Sequence, residues 1–173
     1  MTTMQLFPPT TTLPFPSASG ALFSDCRTFR YALWRSWETG SGYVCFIGLN
    51  PSTADETIDD PTISRCIKFA KAWGYAGMVM LNLFAFRATD PADMLAAVDP
   101  VGPDNDQHFH VFTSAAGVVV AAWGNDGAHL GRHLAVAQAI PQLHCLKVTK
   151  AGFPGHPLYL KGDLVPIPFE GSA

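Results

Sequence analysis

This chain of 173 residues is short of charge, of paired cysteines and of long apolar runs, and each shortage excludes something. Charged residues make up 14% of it and the formal net charge is −3, so a strongly basic duplex-binding surface is not expected. No stretch reaches the roughly eighteen apolar residues that a membrane-crossing helix needs. The N-terminal segment has neither a basic flank nor a long apolar run, which argues against a secretory signal. The four cysteines, Cys26, Cys45, Cys66 and Cys145, are far apart and form no C-x-x-C pair. They are expected as free thiols in a reducing cytoplasm, with Cys45 and Cys145 serving as small core residues. G-x-G-x-x-G, G-x-x-x-x-G-K-[ST] and G-x-S-x-G are all missing, which disfavours dinucleotide, nucleoside-triphosphate and esterase readings, and no cofactor is expected.

What is present is a 48% hydrophobic composition that suits one compact α/β domain. Residues 1–20 repeat Thr and Pro and read as an extended arm, leaving 21–173 as the folded unit. Apolar and polar residues roughly alternate from Arg27 to Trp34, and Tyr43–Gly48 is a short buried run beyond Gly40-Ser41-Gly42. Together they predict a hairpin feeding the sheet. Asp60-Pro61 and Asp90-Pro91 each look like an N-cap followed by proline at the first helical position. Further helices are expected over 103–115 and 127–139, and strands over 78–83, 117–123 and 143–149. Helices between strands imply right-handed crossovers. The expected fold is a three-layer αβα sandwich around a four-stranded, mostly parallel sheet with an N-terminal antiparallel hairpin strand.

In such sheets ligands bind beyond the carboxyl ends of the strands. Unusual polar residues collect there: Gly48-Leu49-Asn50-Pro51-Ser52, then Asn82 within Leu81-Asn82-Leu83-Phe84, then Trp123-Gly124-Asn125-Asp126, and finally His156-Pro157-Leu158-Tyr159. An amide inside the apolar run around Asn82 is expensive to bury unless its donor and acceptor are used. The plain reading bonds it to neighbouring backbone; the functional one offers it to the edge of a nucleobase. Asn50 precedes Pro51, which holds it extended, so its loop either makes a simple Asx-type turn or aims Asn50 and Ser52 at a ligand. Taken alone, His156 would be an exposed loop histidine.

In order and spacing these four segments resemble the landmark motifs of the uracil-DNA glycosylase superfamily. Gly48–Ser52 is similar to the G-I-N-P-G motif of its mismatch-specific branch, and Leu81-Asn82 to the strand whose Asn reads uracil. Trp123-Gly124 is similar to an L-W-G segment, and His156-Pro157-Leu158 to an H-P-S-P loop. From about Arg30 to Leu160 the chain also resembles a bacterial and phage family of unknown function, through Asn50-Pro51-Ser52-Thr53-Ala54-Asp55 and Asp59-Asp60-Pro61-Thr62. The glycosylase resemblance implies a uracil-DNA-glycosylase-like fold and a nucleobase-recognising hydrolase, with a substrate in nucleic acid, single-stranded or flipped-base DNA, or a nucleotide. The Asn50 loop would position the attacking water, Asn82 would read the base, and His156 would stabilise the departing base. Phe84 or Phe86 would stack on a flipped base.

The departures shape the alternatives. Branches with a strong general base carry Asp where this chain has Asn50, and an amide takes no proton at neutral pH. Asp55, Glu56, Asp59 and Asp60 lie close by; Asp55 is the catalytic candidate beside Asn50 and His156, although Asp60 also reads as a helix cap and the others as a solvated loop. Arg87 joins the binding candidates and, with Lys147 and Lys150, a possible basic rim. His-Pro-Leu-Tyr lacks the small polar residue after Pro, and the acidic loop would repel phosphates unless a metal intervenes. The other readings are a catalytically inactive binding module of the same fold and a metal-assisted hydrolase using Asp55–Asp60. His129 and His133 share an i, i+4 helix face but have no third ligand, so no metal site is expected.

Overall fold

The computed structural model describes residues 13–171. Seven strands form one mixed sheet: β1 (Ser19–Phe23), β2 (Arg30–Ser36), β3 (Tyr43–Gly48), β4 (Gly77–Asn82), β5 (Val118–Ala121), β6 (Leu143–Cys145) and β7 (Ile167–Pro168). Their order is β1-β2-β4-β3-β5-β6-β7. The inner strands β4, β3, β5 and β6 run parallel, while β2 lies antiparallel to β4 and β7 antiparallel to β6. The sheet is therefore wider than the four strands expected. The hairpin also differs, because β2 pairs with β1 and β4 and not with β3. Of the arm expected over 1–20, residues 1–12 lie outside the described residues, and Ser19 and Gly20 open β1.

Four helices cover the sheet: α1 (Pro61–Ala72), α2 (Pro91–Ala96), α3 (Asn105–Ser114) and α4 (Arg132–Ala139). Both Asp-Pro devices work as read. Asp60 accepts from the Ile63 N–H at 2.8 Å and Asp90 from the Ala92 N–H at 2.9 Å, supplying acceptors to helix starts that lack them. Gly74, at φ +85°, takes the left-handed turn that ends the first helix. The fourth helix is shorter than expected. A 3-10 turn occupies 125–131 and breaks at Leu130, whose φ is +56°, so His129 and His133 share no helix face. His129 instead packs against Phe84 and His133 against Phe153.

Alternation along the strands sends residues to two cores. Val44, Phe46, Met78 and Met80 meet Ile63, Cys66 and Phe69 of α1 on one face. Cys45, Ile47, Val79 and Leu81 meet Met94, Phe109, Phe112 and Val136 of the other helices on the opposite face. The chain leaves β3 through α1 to reach β4 on one side, and then crosses the other face to β5 on the other side. That reversal opens a crevice at the C-terminal end of β3.

Candidate functional site

The crevice is a cavity of about 480 Å³, and the ends of β3, β4 and β5 form its floor. It brings Asn50, Asn82 and His156 together with Gly48, Leu49, Ser52, Trp123 and Gly124. Other expected residues stand elsewhere. Pro51 is buried outside the lining. Phe84 is 0% exposed in the core, and Phe86 packs edge-on to Phe29. Arg87 lies over the Phe23 ring and donates to the Arg27 carbonyl. Lys147 and Lys150 are exposed on the loop that leads to Gly155.

The acidic loop divides in the same way. Asp55 does not line the cavity; its carboxylate accepts from the N–H groups of Thr57 and Ile58 and closes its own loop. Those two bonds hold its carboxyl below the ordinary range. Asp59 pairs with Arg35 at 2.8 Å. Asp60 is the member of this group that reaches the cavity wall, from the cap of α1. With each carboxylate engaged separately, no group of three His, Cys, Asp or Glu is placed to hold a metal among the described residues.

Each polar group in the cavity is held by identifiable neighbours. The end of β4 is pinned by Asn105, whose Nδ2 donates to the carbonyls of Asn82 and Leu83 at 3.0 and 3.2 Å, and by Arg132, whose Nε donates to the Leu83 carbonyl at 2.9 Å. Asn82 itself is 4% exposed, and its Oδ1 accepts from Arg30 at 3.2 Å. A guanidinium only donates, so this bond fixes the amide with Nδ2 on its other side. Gly48 lies opposite Asn82 in the parallel register, and a Cβ there would come within 2.9 Å of that Nδ2. Glycine leaves this space open.

The Nδ2 of Asn50 donates to the carbonyls of Pro51 and Ala88 at 3.1 and 2.9 Å, which leaves its Oδ1 an acceptor without a partner among the described residues. Half-buried His156 follows Gly155 and caps a 3-10 turn over Pro157–Tyr159, its Nδ1 accepting from the Leu158 N–H at 3.2 Å. In the neutral ring the proton then sits on Nε2. Burial pulls the imidazole below its ordinary 6.5, and the Asp60 carboxylate opposes that pull. At neutral pH His156 is therefore an uncharged donor. Exposed Tyr159 stands beside it, with ring centroids 5.4 Å apart. At the end of β5, Gly124 adopts φ +70° and ψ −168°, a conformation essentially reserved for glycine, and turns the chain along the rim.

Sequence reasoning placed Asp126 and Tyr159 in the polar clusters at the sheet edge without giving them a role, and passed over Arg30; all three line the cavity. Arg30 was legible only as the polar half of an alternating strand. It is 2% exposed, and burial lowers its basicity to about 10, so it stays charged at neutral pH.

No curated protein and no solved structure matches the chain. Residues 30–158 match the family described as "Protein of unknown function (DUF1643)", a span that runs from the cavity's Arg30 to its His156 loop. With most of its length inside that match, the chain belongs to the DUF1643 family.

Proposed function

We propose that the cavity takes a nucleobase and that the protein is an N-glycosylase-like hydrolase of a uracil-type or modified base, carried in nucleic acid or a nucleotide. One observation carries this reading: Asn50, Asn82 and His156, distant in sequence, line a single cavity at the switch point of the sheet. The resemblance of the four motif segments to the uracil-DNA glycosylase superfamily supports it.

The residues suit the chemistry. In hydrolysis, water attacks the anomeric carbon, the C–N bond breaks, and the base leaves with the electron pair. Asn50 Oδ1 accepts a hydrogen from that water and aims its lone pair. Asp60 faces positive charge growing on the sugar and takes the water's proton. The His156 Nε2–H meets negative charge growing on the base, where a donor already in place needs no reorganisation. Asn82 Nδ2 donates to the base edge, and Tyr159 offers a ring at the mouth.

Cleavage of uracil-containing and modified oligonucleotides and nucleosides, followed as release of free base, tests this. Release by the native chain that is lost in His156→Ala is the expected result. No release from any substrate would overturn the enzyme reading. The amide at position 50, where glycosylases with a strong base carry Asp, favours a second reading: a binding module that keeps the pocket without turnover. Saturable binding of an intact substrate, with no cleavage, would identify it.

A further inference from the structure

Taking a charge out of water is costly unless an opposite charge meets it. The buried arginines of this chain follow that rule with one exception. Arg35 pairs with Asp59 and Arg132 with Asp106, each within 2.8 Å. Arg30 is the least exposed of them and has no carboxylate within ion-pair distance among the described residues. Its hydrogen bonds go to neutral oxygens, the Ala54 carbonyl at 3.1 Å and Asn82 Oδ1 at 3.2 Å, and its Nε has no partner among the described residues. Asp60 is near enough to be felt but does not pair with it. The Arg30–Asn82 bond has a second consequence. Nδ2 of Asn82 is left without a partner among the described residues, on the side that Gly48 keeps open. The cavity thus has one wall that presents donors and positive charge, while its acceptors, among them Asn50 Oδ1 and the Asp60 and Asp126 carboxylates, belong to other segments.

We infer that Arg30 and Asn82 act as a single donor-only wall, and that the ligand edge seated on it is an acceptor edge carrying negative charge: the ionised or carboxylate-bearing edge of an oxo-heterocycle. This rests on the nucleobase reading and narrows its substrate class. A neutral uracil-type edge sets an N–H beside its carbonyl, and that N–H would have to share an oxygen that Arg30 holds on the far side of the amide from the open Nδ2. A charged acceptor edge meets donors only, and hydrogen bonds between ionised partners are the stronger kind.

Isothermal calorimetry on the full chain with three probes tests the inference: uracil, a neutral ring; orotate, the same ring bearing a carboxylate; and formate, a carboxylate without the ring. Orotate should bind at least about tenfold more tightly than uracil. Arg30→Met and Asn82→Asp should abolish that preference, and Arg30→Lys should retain part of it, with circular dichroism checking that each variant is folded. Equal affinity for uracil and orotate would overturn the charged wall while leaving the nucleobase reading intact, as would a preference that survives in folded Arg30→Met and Arg30→Lys alike. Binding of formate with neither ring would uphold the wall and overturn the nucleobase reading. If none of the three binds, both fall.

Discussion

The two sides of the cavity are built differently. Its floor is strand: Arg30, Gly48 and Asn82 sit at the ends of β2, β3 and β4, Arg30 and Asn82 nearly buried and Gly48 half-buried, with Asn82 fixed by a donor-only partner and its strand end pinned by Asn105 and Arg132. Its mouth is loop: His156 is half-buried and Tyr159 is 83% exposed on a turn held by local bonds. A floor that is already ordered loses little entropy on binding and can discriminate between edges. A mouth with fewer buried contacts opens at lower free-energy cost and can admit or release a ligand. In the proposed reading, recognition belongs to the strands, and access and proton placement belong to the loops.

The largest expected effect lies beneath the floor. Phe84 has no exposed surface, so Phe84→Ala should destabilise the fold by about 3–5 kcal/mol in urea unfolding. A small change in stability with loss of ligand stacking would return Phe84 to the cavity and break the division between core and floor. At the mouth the balance reverses. His156→Ala should lower the rate of base release about 10²- to 10³-fold, the usual loss for a charge-stabilising donor, while unfolding stability falls by no more than about 1 kcal/mol with the lost Leu158 N–H bond.

Asp60 and Asp55 sharpen the comparison within one loop. Asp60→Asn preserves the helix cap, because Asn caps as well as Asp, yet removes the carboxylate that the start of α1 brings to the cavity. Base release should fall about 10²-fold at unchanged stability. Asp55→Ala should do the opposite, losing about 1 kcal/mol of stability with its two backbone bonds and leaving release unchanged.

The smallest effect is in pH. Burial lowers the His156 pKa from 6.5, so the folded ring stays neutral after its unfolded counterpart has begun to protonate. Base release should hold steady as pH falls to 6.5 and decline only below it. Stability should also fall with pH below 6.5, because the unfolded chain takes up the proton first. A decline in release that begins above 6.5 would mean a raised pKa and an ion-paired His156.

Local chemistry made much of this legible. The Asp-Pro caps, the apolar β-branched strands and the polar residues at strand ends are short-range signals, and the carboxyl-edge rule then grouped Asn50, Asn82 and His156. What the sequence hid was long-range. The partner of β2 is β4, more than forty residues away, and nothing in the Gly40–Gly42 turn distinguishes that pairing from a hairpin with β3. Arg30 was no more than a polar member of an alternating strand, because alternation specifies a face, not what covers it; here the Ala54 carbonyl and Asn82 do. Phe84 and Phe86 were misplaced because strand periodicity lapses once β4 ends at Asn82. The break at Leu130 left no periodic trace, so His129 and His133 looked like neighbours on one helix.

The most direct measurement is a side-chain ¹H–¹⁵N NMR titration with orotate, following the amides of Asn82 and Asn105 and the ring of His156. Saturable shifts are expected at Asn82 Nδ2 and His156 Nε2 with one shared dissociation constant, and a still resonance at Asn105, whose amide is committed to main-chain carbonyls. Shifts at Asn82 and His156 that titrate independently, or an Asn82 amide as silent as Asn105, would contradict a single ligand held between strand floor and loop mouth.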